Sequence, residues 1–351
     1  MSAPTVTSVT AASPAARAGL AVGDELLSID GQEPRDVIDF QRLSDAGDLS
    51  VFVRRAGAPL PRVVRVSKEA GEPLGVEVSS AVFDRIRTCD NHCAFCFIYQ
   101  LPKGMRRSLY LKDDDYRLSF LYGNFTTLTR FTELDAERIL TERLGPLFVS
   151  IHTTDPELRA NMLLNPKGAT SLRWLEVLLD GGIEVHGQIV VCPGVNDGAA
   201  LEDTLAGILD RYSSLSSVGA VPLGLSRYSN EVEMRPHTLE EAEAVLDTIG
   251  EWQDLYKKAL GHRMSMRLTS TTCWPPGSFP RRGAMTDIPS TRTASAWRVR
   301  SSTRSRDLLR VARGECATVS SPRSMLLQLR ATGRRASRPH RLEPTAVPSR
   351  S

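Results

Sequence analysis

The sequence has no apolar run long enough to span a bilayer, so no membrane helix is expected. Its first twenty residues, MSAPTVTSVTAASPAARAGL, lack a basic start and a continuous apolar stretch, unlike a secretory signal peptide. A reducing, cytoplasmic setting is expected, where clustered cysteines are metal ligands more often than disulfides. Three of the six cysteines fall close together in RTCDNHCAFCFIYQ, as Cys89, Cys93 and Cys96. They lack a nearby fourth, which a structural zinc site or a fully ligated iron–sulfur cluster would want. Cys192, Cys273 and Cys316 are scattered and form no spacing motif. Lysine is missing from Ser265 to Ser351, where 17 arginines and 4 acidic residues give +13. With +3 overall, the chain up to Met264 carries −10.

The length of 351 residues allows two or three domains, or one barrel with additions. Residues 5 to 68 have the pattern of a small β-rich unit. ELLSIDG reads as a strand closed by an Asp-Gly turn, a helix is expected from about Pro34 to Ser44, and LSVFVRR and RVVRVSK alternate as strands. Through SPAARAGLAVGDELLSIDGQEP this unit resembles a PDZ domain, which implies a peptide or protein ligand added as a strand to a sheet edge. No clear glycine-rich carboxylate loop is visible. A module that packs on its neighbour without a ligand is the competing reading.

From Phe83 to Gly261 strand and helix patterns alternate. VFDRI, YRLSFLYG, PLFVSIHT, EVHGQIVVCPG and SVGAVPLG are the strand candidates. TELDAERILTERL, TSLRWLEVLLDGG, GAALEDTLAGILDRY and TLEEAEAVLDTIGEWQDLYKKAL carry helical apolar stripes with caps or glycine stops. Such alternation predicts a parallel sheet covered by helices, with chemistry at the C-terminal strand ends. The cysteine loop is expected to follow the first strand, and the polar clusters GNFTTLT, SIHTTD, CPGVND and PLGLSRY to follow later ones.

Three thiolates on one short loop can hold three irons of a [4Fe–4S] cube and leave the fourth open, and an open metal position is a reactive one. The residues also admit a Cys3His zinc site using His92 or a distant histidine, an electron-transfer cluster with Cys192 as fourth ligand, or metal-free thiols in a PDZ-type interaction protein.

The run Cys89, Cys93, Phe95, Cys96 resembles the signature of the radical S-adenosylmethionine superfamily. That resemblance implies a [4Fe–4S] cluster on the three cysteines, S-adenosylmethionine on the open iron, and reductive cleavage to a 5′-deoxyadenosyl radical that abstracts hydrogen from substrate. It implies a partial (β/α)6 TIM-type barrel, and an electron donor such as flavodoxin or ferredoxin. It also points to Phe95, Gly123, Asn124, Ser150, His152 and Gln188 as cofactor contacts. The superfamily's usual Gly-Gly-Glu step reads Tyr122-Gly123-Asn124-Phe125 here, so its carboxylate is missing. By themselves, Gly123-Asn124 read equally as a tight turn, Ser150 and His152 as a hydrogen-bonded pair, and PGVND (193–197) as a helix-capping turn. Gln188 would face the barrel interior if Ile189 faces out.

More narrowly, the order of these motifs resembles a bacterial family of PDZ-plus-radical-SAM Fe–S oxidoreductases with a C-terminal domain of unknown function. The substrate is not implied. The expected layout is a PDZ-like domain over 1–70, the barrel over 71–264, and a disordered tail over 265–351. The arginine-only tail fits a GC-rich frame read out of register. Back-translation allows a family-like reading with DEYYLLA and ENGIGM segments, so a frameshift near Met264 is expected, leaving a chain that folds poorly or is inactive. A basic tail that binds nucleic acid is the alternative.

Overall fold

Alternation and capping account for the first unit of the computed structural model, which describes residues 3–261 and the strand Ser265–Leu268. Strand β1 (Val6–Val9) leads to α1 (Pro14–Ala18), which Ser13 caps by accepting the Ala16 N–H and Gly19 ends at φ +83. Strands β2 (Glu25–Ile29), β3 (Leu49–Arg54) and β4 (Arg62–Val66) form an antiparallel sheet. Along β3, Leu49, Val51 and Val53 point into the core while Ser50, Phe52 and Arg54 face out. Helix α2 (Val37–Leu43) starts on Asp36, whose carboxylate accepts the Ile38 and Asp39 N–H groups.

The first core extends past the expected boundary at residue 70. Strand β5 (Val76–Val78) pairs antiparallel with β1, placing Val6 opposite Val78 and Val9 opposite Val76. Leu74 and Phe83 are buried with Val6, Leu26, Phe40 and Val51 in one cluster. At Gly75, φ is +79 and a Cβ would stand 2.3 Å from that of Ser13, so the close approach of linker to α1 needs glycine.

The second sheet is parallel, in the order β10-β9-β8-β7-β6. Its strands are β6 (Phe125–Thr126), β7 (Leu147–Ser150), β8 (Val185–Val191), β9 (Ser217–Pro222) and β10 (Ser265–Leu268). The connecting helices are α4 (Glu133–Glu142), α5 (Pro156–Leu163), α6 (Gly168–Ser171), α7 (Arg173–Asp180), α8 (Gly198–Arg211) and α9 (Leu239–Leu260). Capping boxes open α4 at Thr132 and α9 at Thr238, and Gly261 closes α9. This is the expected α/β class with a partial TIM-type sheet behind a β-rich unit. Among the described residues no helix is long and apolar enough to cross a membrane.

Two expected strands are absent. VFDRI contributes only an isolated bridge between Val82 and Asp36. YRLSFLYG forms helix α3 (Tyr116–Tyr122), because Asp115 caps it at Arg117 N–H and Gly123 ends it in the left-handed region. A short apolar run buried on most sides does not reveal its period, and these caps decided it. Among the described residues no strand of the parallel sheet therefore precedes the cysteine loop, which lies before β6. Strand β10 continues the sheet four residues beyond Met264 by pairing with β9. The rest of the expected tail, 269–351, lies outside the described residues, as do Cys273 and Cys316.

The first unit is joined to the barrel through buried charge. Arg138 of α4 donates to both Asp36 oxygens at 2.7 and 2.9 Å, to Asp39 at 3.2 Å and to Tyr116 at 3.0 Å. Arg117 pairs with Asp115 at 2.7 Å, with Asp84 at 2.8 Å and more distantly with Asp36.

Candidate functional site: a cysteine loop across the strand ends

The cysteine loop is fastened over the ends of four strands mainly by neutral side chains, with Asp90 adding contacts to Asn165 at 3.1 Å and Lys167 at 3.7 Å. At the β6 side, buried Asn91 donates to Thr127 Oγ1 at 2.9 Å, and its Oδ1 accepts from Thr129 and from Asn165 Nδ2 at 2.7 Å. The His92 N–H donates to Leu163 O at the end of α5. At the β9 side, buried Gln100 donates to Gly224 O and accepts the Ser226 N–H at 2.7 Å, while Ser226 Oγ donates to Gln100 O. Between these anchors Phe95 meets the His152 ring edge-on at 4.9 Å, just past β7. It also packs with Val190 of β8 against a cluster containing Met162, Cys192 and Leu223.

Cys93 is buried and Cys89 and Cys96 are half-buried. Burial pushes the Cys89 thiol up to about 11, aided by Asp114 and opposed by Lys112. Burial pushes Cys93 up to about 12, and the other two sulfurs add to this. The three sulfurs thus lie within electrostatic reach of one another. Among the described residues no three Cys, His, Asp or Glu side chains are gathered around a single-ion position. A cube binds each cysteine on a different iron, so its thiolates stand farther apart than ligands of one ion. Three soft sulfur donors on one anchored loop fit such a cluster in chemistry. The other candidate ligands are turned elsewhere. His92 is exposed and its Nδ1 meets Tyr99 OH at 3.3 Å. Cys192 is pushed up to about 12 by burial in the apolar cluster.

Lys112 crosses the loop. Its backbone oxygen accepts the Cys89 N–H at 2.7 Å, and its ammonium donates to Asn91 O and Tyr99 OH. Burial opposes its charge, yet the Tyr99 hydrogen bond and the cysteine sulfurs raise its pKa.

Below the loop, β8 alternates. Val185, Gly187, Ile189 and Val191 are fully buried, whereas His186, Gln188 and Val190 lie on a half-open face. Register places Gln188 between Ser150 of β7 and Gly219 of β9. His152 adopts φ +63 at the end of β7 and is deeply buried. Val190 N–H donates to its Nδ1 at 3.2 Å, which leaves the ring proton of the neutral form on Nε2. Burial, then the nearby Arg159 charge, hold its pKa down to about 3, so the ring is neutral. Asn196 ties the ends of β7 and β8 together by donating to His152 O and Val190 O.

Gly123 and Asn124 sit at the other edge of the sheet. Asn124 Nδ2 donates to Asp113 Oδ2 at 3.0 Å, so a carboxylate does stand beside this step. Burial raises the Asp113 pKa, and the Asn124 bond partly offsets this. Its neighbours are engaged: Asp114 accepts from Thr126, Thr127 and Thr129, and Asp115 holds Arg117. No hydrogen bond or ring contact joins Gly123-Asn124 to the Phe95–His152 pair among the described residues.

Arg159 of α5 organises the strand ends from behind. Its five N–H donors all go to neutral acceptors: Ile151 O, Gly168 O, Ser171 Oγ, Thr127 O and Ser150 O. Burial lowers its pKa to about 10, with Asp114 opposing. A cavity of about 270 Å³ lies on this rear side, lined by Thr154, Arg159, Arg173, Arg211 and Tyr212 among others; the cysteines do not line it. Asn91, Gln100, Asp113, Arg159 and Asn196 were not singled out by sequence. Their only signal was membership in motifs chosen for other residues.

Residues 68–218 match the family model described as a radical SAM-like domain, and residues 5–55 match that of a PDZ domain. The chain thus carries a PDZ domain followed by a radical SAM-like domain. No curated protein matches it. Among solved structures it is similar to a radical SAM methyltransferase from Sphaerobacter thermophilus, at 12% identity over 72% of this chain and 80% of that chain, with a TM-score of 0.29.

Proposed function

We propose that the chain is a radical S-adenosylmethionine enzyme of the Fe–S oxidoreductase kind, in which Cys89, Cys93 and Cys96 hold a [4Fe–4S] cluster. The observation that carries this reading is the cysteine loop itself, anchored at both edges over the strand ends and short of a fourth cysteine. When bound, the cluster and S-adenosylmethionine supply one-electron cleavage to a carbon radical that abstracts hydrogen from a substrate. The chain's own residues bind and orient. Phe95 packs edge-on against His152 beside the cysteine loop. Ser150 and Gln188 offer adjacent polar groups on the half-open face, and Gly219 beside them leaves room. His152, neutral, offers an N–H donor rather than a charge. Gly123 and Asn124 bring Asp113 to the β6 edge, where its carboxylate would take the cationic amine of the cofactor. Asp113 thereby fills the role of the acid missing from the Gly-Asn step. The PDZ domain adds the expectation of an extended peptide or protein ligand. The setting would be a reducing, cytoplasmic one.

The test is anaerobic reconstitution of the full chain with iron and sulfide, followed by a strong reductant and S-adenosylmethionine. Slow formation of 5′-deoxyadenosine is expected without any substrate. Asp113→Asn should keep its iron and weaken cofactor binding by about tenfold, the order of a lost charge-assisted hydrogen bond. A fully loaded chain that yields no 5′-deoxyadenosine would favour the alternative, a PDZ-type interaction protein with a structural zinc or Fe–S site.

A further inference from the structure

A second set of polar groups lies away from the cysteines, around the cavity of about 270 Å³ behind the strand ends. That volume is just under the range of about 300–1,000 Å³ usual for ligand pockets, so it suits a small molecule. Arg159 lines it and is only 1% exposed. All five of its N–H groups go to neutral oxygens, so no carboxylate touches this buried charge. Asp114 acts on it only through space. Buried charges are ordinarily paired, and this one faces a cavity instead.

Tyr212 lines the same cavity. It is 2% exposed, and its hydroxyl has no hydrogen-bond partner among the described residues. A buried hydroxyl left without a partner is costly, so this one wants an acceptor. Burial raises its pKa, with Arg211 opposing, and keeps it a neutral donor. Two exposed arginines stand at the cavity, Arg173 from α7 and Arg211 from α8. Neither meets a carboxylate among the described residues. Arg211 donates to Thr154 O at 3.1 Å, and Arg173 lies over the Trp174 ring at 4.7 Å. Glu176 is the one acid among the described lining residues, against three arginines.

We infer that this cavity binds a small phosphate monoester, with Arg173, Arg211 and the Tyr212 hydroxyl on the phosphate and Glu176 accepting a hydroxyl of the organic part. Guanidinium forks match phosphate oxygens in pairs, and the phenol adds a donor for a further oxygen. The site is separate from the cysteines, which do not line it. It is defined by a partnerless buried hydroxyl and an unpaired buried charge, not by the net charge of the chain. A bound dianion would also offset the Arg159 charge through space. Arg159 holds Ser150 O and Ile151 O, so binding should steady these strand ends and raise the melting temperature.

The probes are inorganic phosphate and glycerol phosphate, titrated into the full chain at constant ionic strength and followed by calorimetry and tryptophan emission. Citrate is the carboxylate control. We expect saturable binding, tighter for glycerol phosphate than for inorganic phosphate. Drawing Arg173 off its ring should change the emission, and Trp174→Phe should remove that change while keeping the heat of binding. Arg173→Gln/Arg211→Gln should weaken binding by about tenfold or more. Tyr212→Phe, which removes only the hydroxyl, should weaken it by about three- to tenfold, the order of one hydrogen bond. Glu176→Gln should bind inorganic phosphate more tightly and lose the preference for glycerol phosphate, an outcome that misfolding cannot produce. The arginines of residues 265–351 also attract phosphate, but that binding would be the same in every variant. Binding unchanged in both Tyr212→Phe and the double variant would therefore overturn the site, as would a wild type that shows no saturable binding. Citrate bound as tightly as glycerol phosphate would overturn the phosphate assignment.

Discussion

Two junctions hold this molecule together, and they are built from opposite chemistry. The PDZ domain meets the barrel through ions: Arg138 with Asp36 and Asp39, Arg117 with Asp36. The cysteine loop meets the strand ends mainly through neutral amides and hydroxyls, Asn91 with Asn165 and Thr127, Gln100 with Ser226, and Asp90 adds a half-exposed pair with Lys167. Buried ion pairs fix orientation but place strong fields inside the protein. Neutral hydrogen bonds fix position and leave the local potential to other groups. Around the cysteines that leaves Lys112 as a nearby cation and Asp114 as a nearby anion, the two side chains whose charges act on Cys89 in opposite senses.

The largest effect should come from the ionic junction. Asp36 is fully buried, serves two arginines and caps α2. Asp36→Ala should cost about 3–5 kcal/mol, the usual penalty for orphaning a buried charge, as read by urea unfolding. Asp36→Asn combined with Arg138→Met should recover a large part of that loss. If Asp36→Ala unfolds like wild type, the ionic junction contributes nothing and the contrast fails.

The neutral junction should give a smaller loss in stability but a larger one in metal loading. Asn91→Ala removes the bonds to Thr127, Thr129 and Asn165, while Asp114 still accepts from Thr129 and Asp90 from Asn165, at about 1–3 kcal/mol. Its iron content after reconstitution should fall well below that of Asp36→Ala compared at equal folded fraction. Equal iron content in the two variants would mean that Asn91 does not position the loop.

A smaller effect is expected from pH. His152 has a folded pKa of about 3 against an ordinary 6.5. Below pH 6.5 the unfolded chain takes up a proton that the folded chain refuses, so stability falls as pH drops from 6.5 towards 3. The slope from this residue is about 1.4 kcal/mol per pH unit. His152→Asn should remove that slope, since Asn tolerates the positive φ found there. A pH dependence unchanged in that variant would show that His152 is not held neutral by burial.

Helices α4 and α9 were legible because capping boxes open their apolar stripes, and Gly261 closes α9. So was strand β8, whose alternation sets the face that Gln188 shares with His186 and Val190. The sequence of helix α3 also fits a strand, because seven apolar-rich residues show no clear period. The anchors were invisible for a different reason. Asn91 and Asn165 are 74 residues apart, and Gln100 and Ser226 are 126 apart. A single amide in a loop bears no mark of a partner that only the closed sheet brings near. The same holds for Asp113: beside Asp114 and Asp115 it reads as one of three equivalent acids, and only the fold puts it against Asn124.

The most direct test of the account is the metal content of the full chain after anaerobic reconstitution, measured beside three single variants. We expect about four irons and four sulfides per wild-type chain, as for one [4Fe–4S] cluster. Cys93→Ala should lose the cluster and its visible absorbance, Cys192→Ala should retain both, and His92→Ala should retain both. Stoichiometric zinc in the wild type, or full iron in Cys93→Ala, would contradict the three-cysteine cluster on which the account stands.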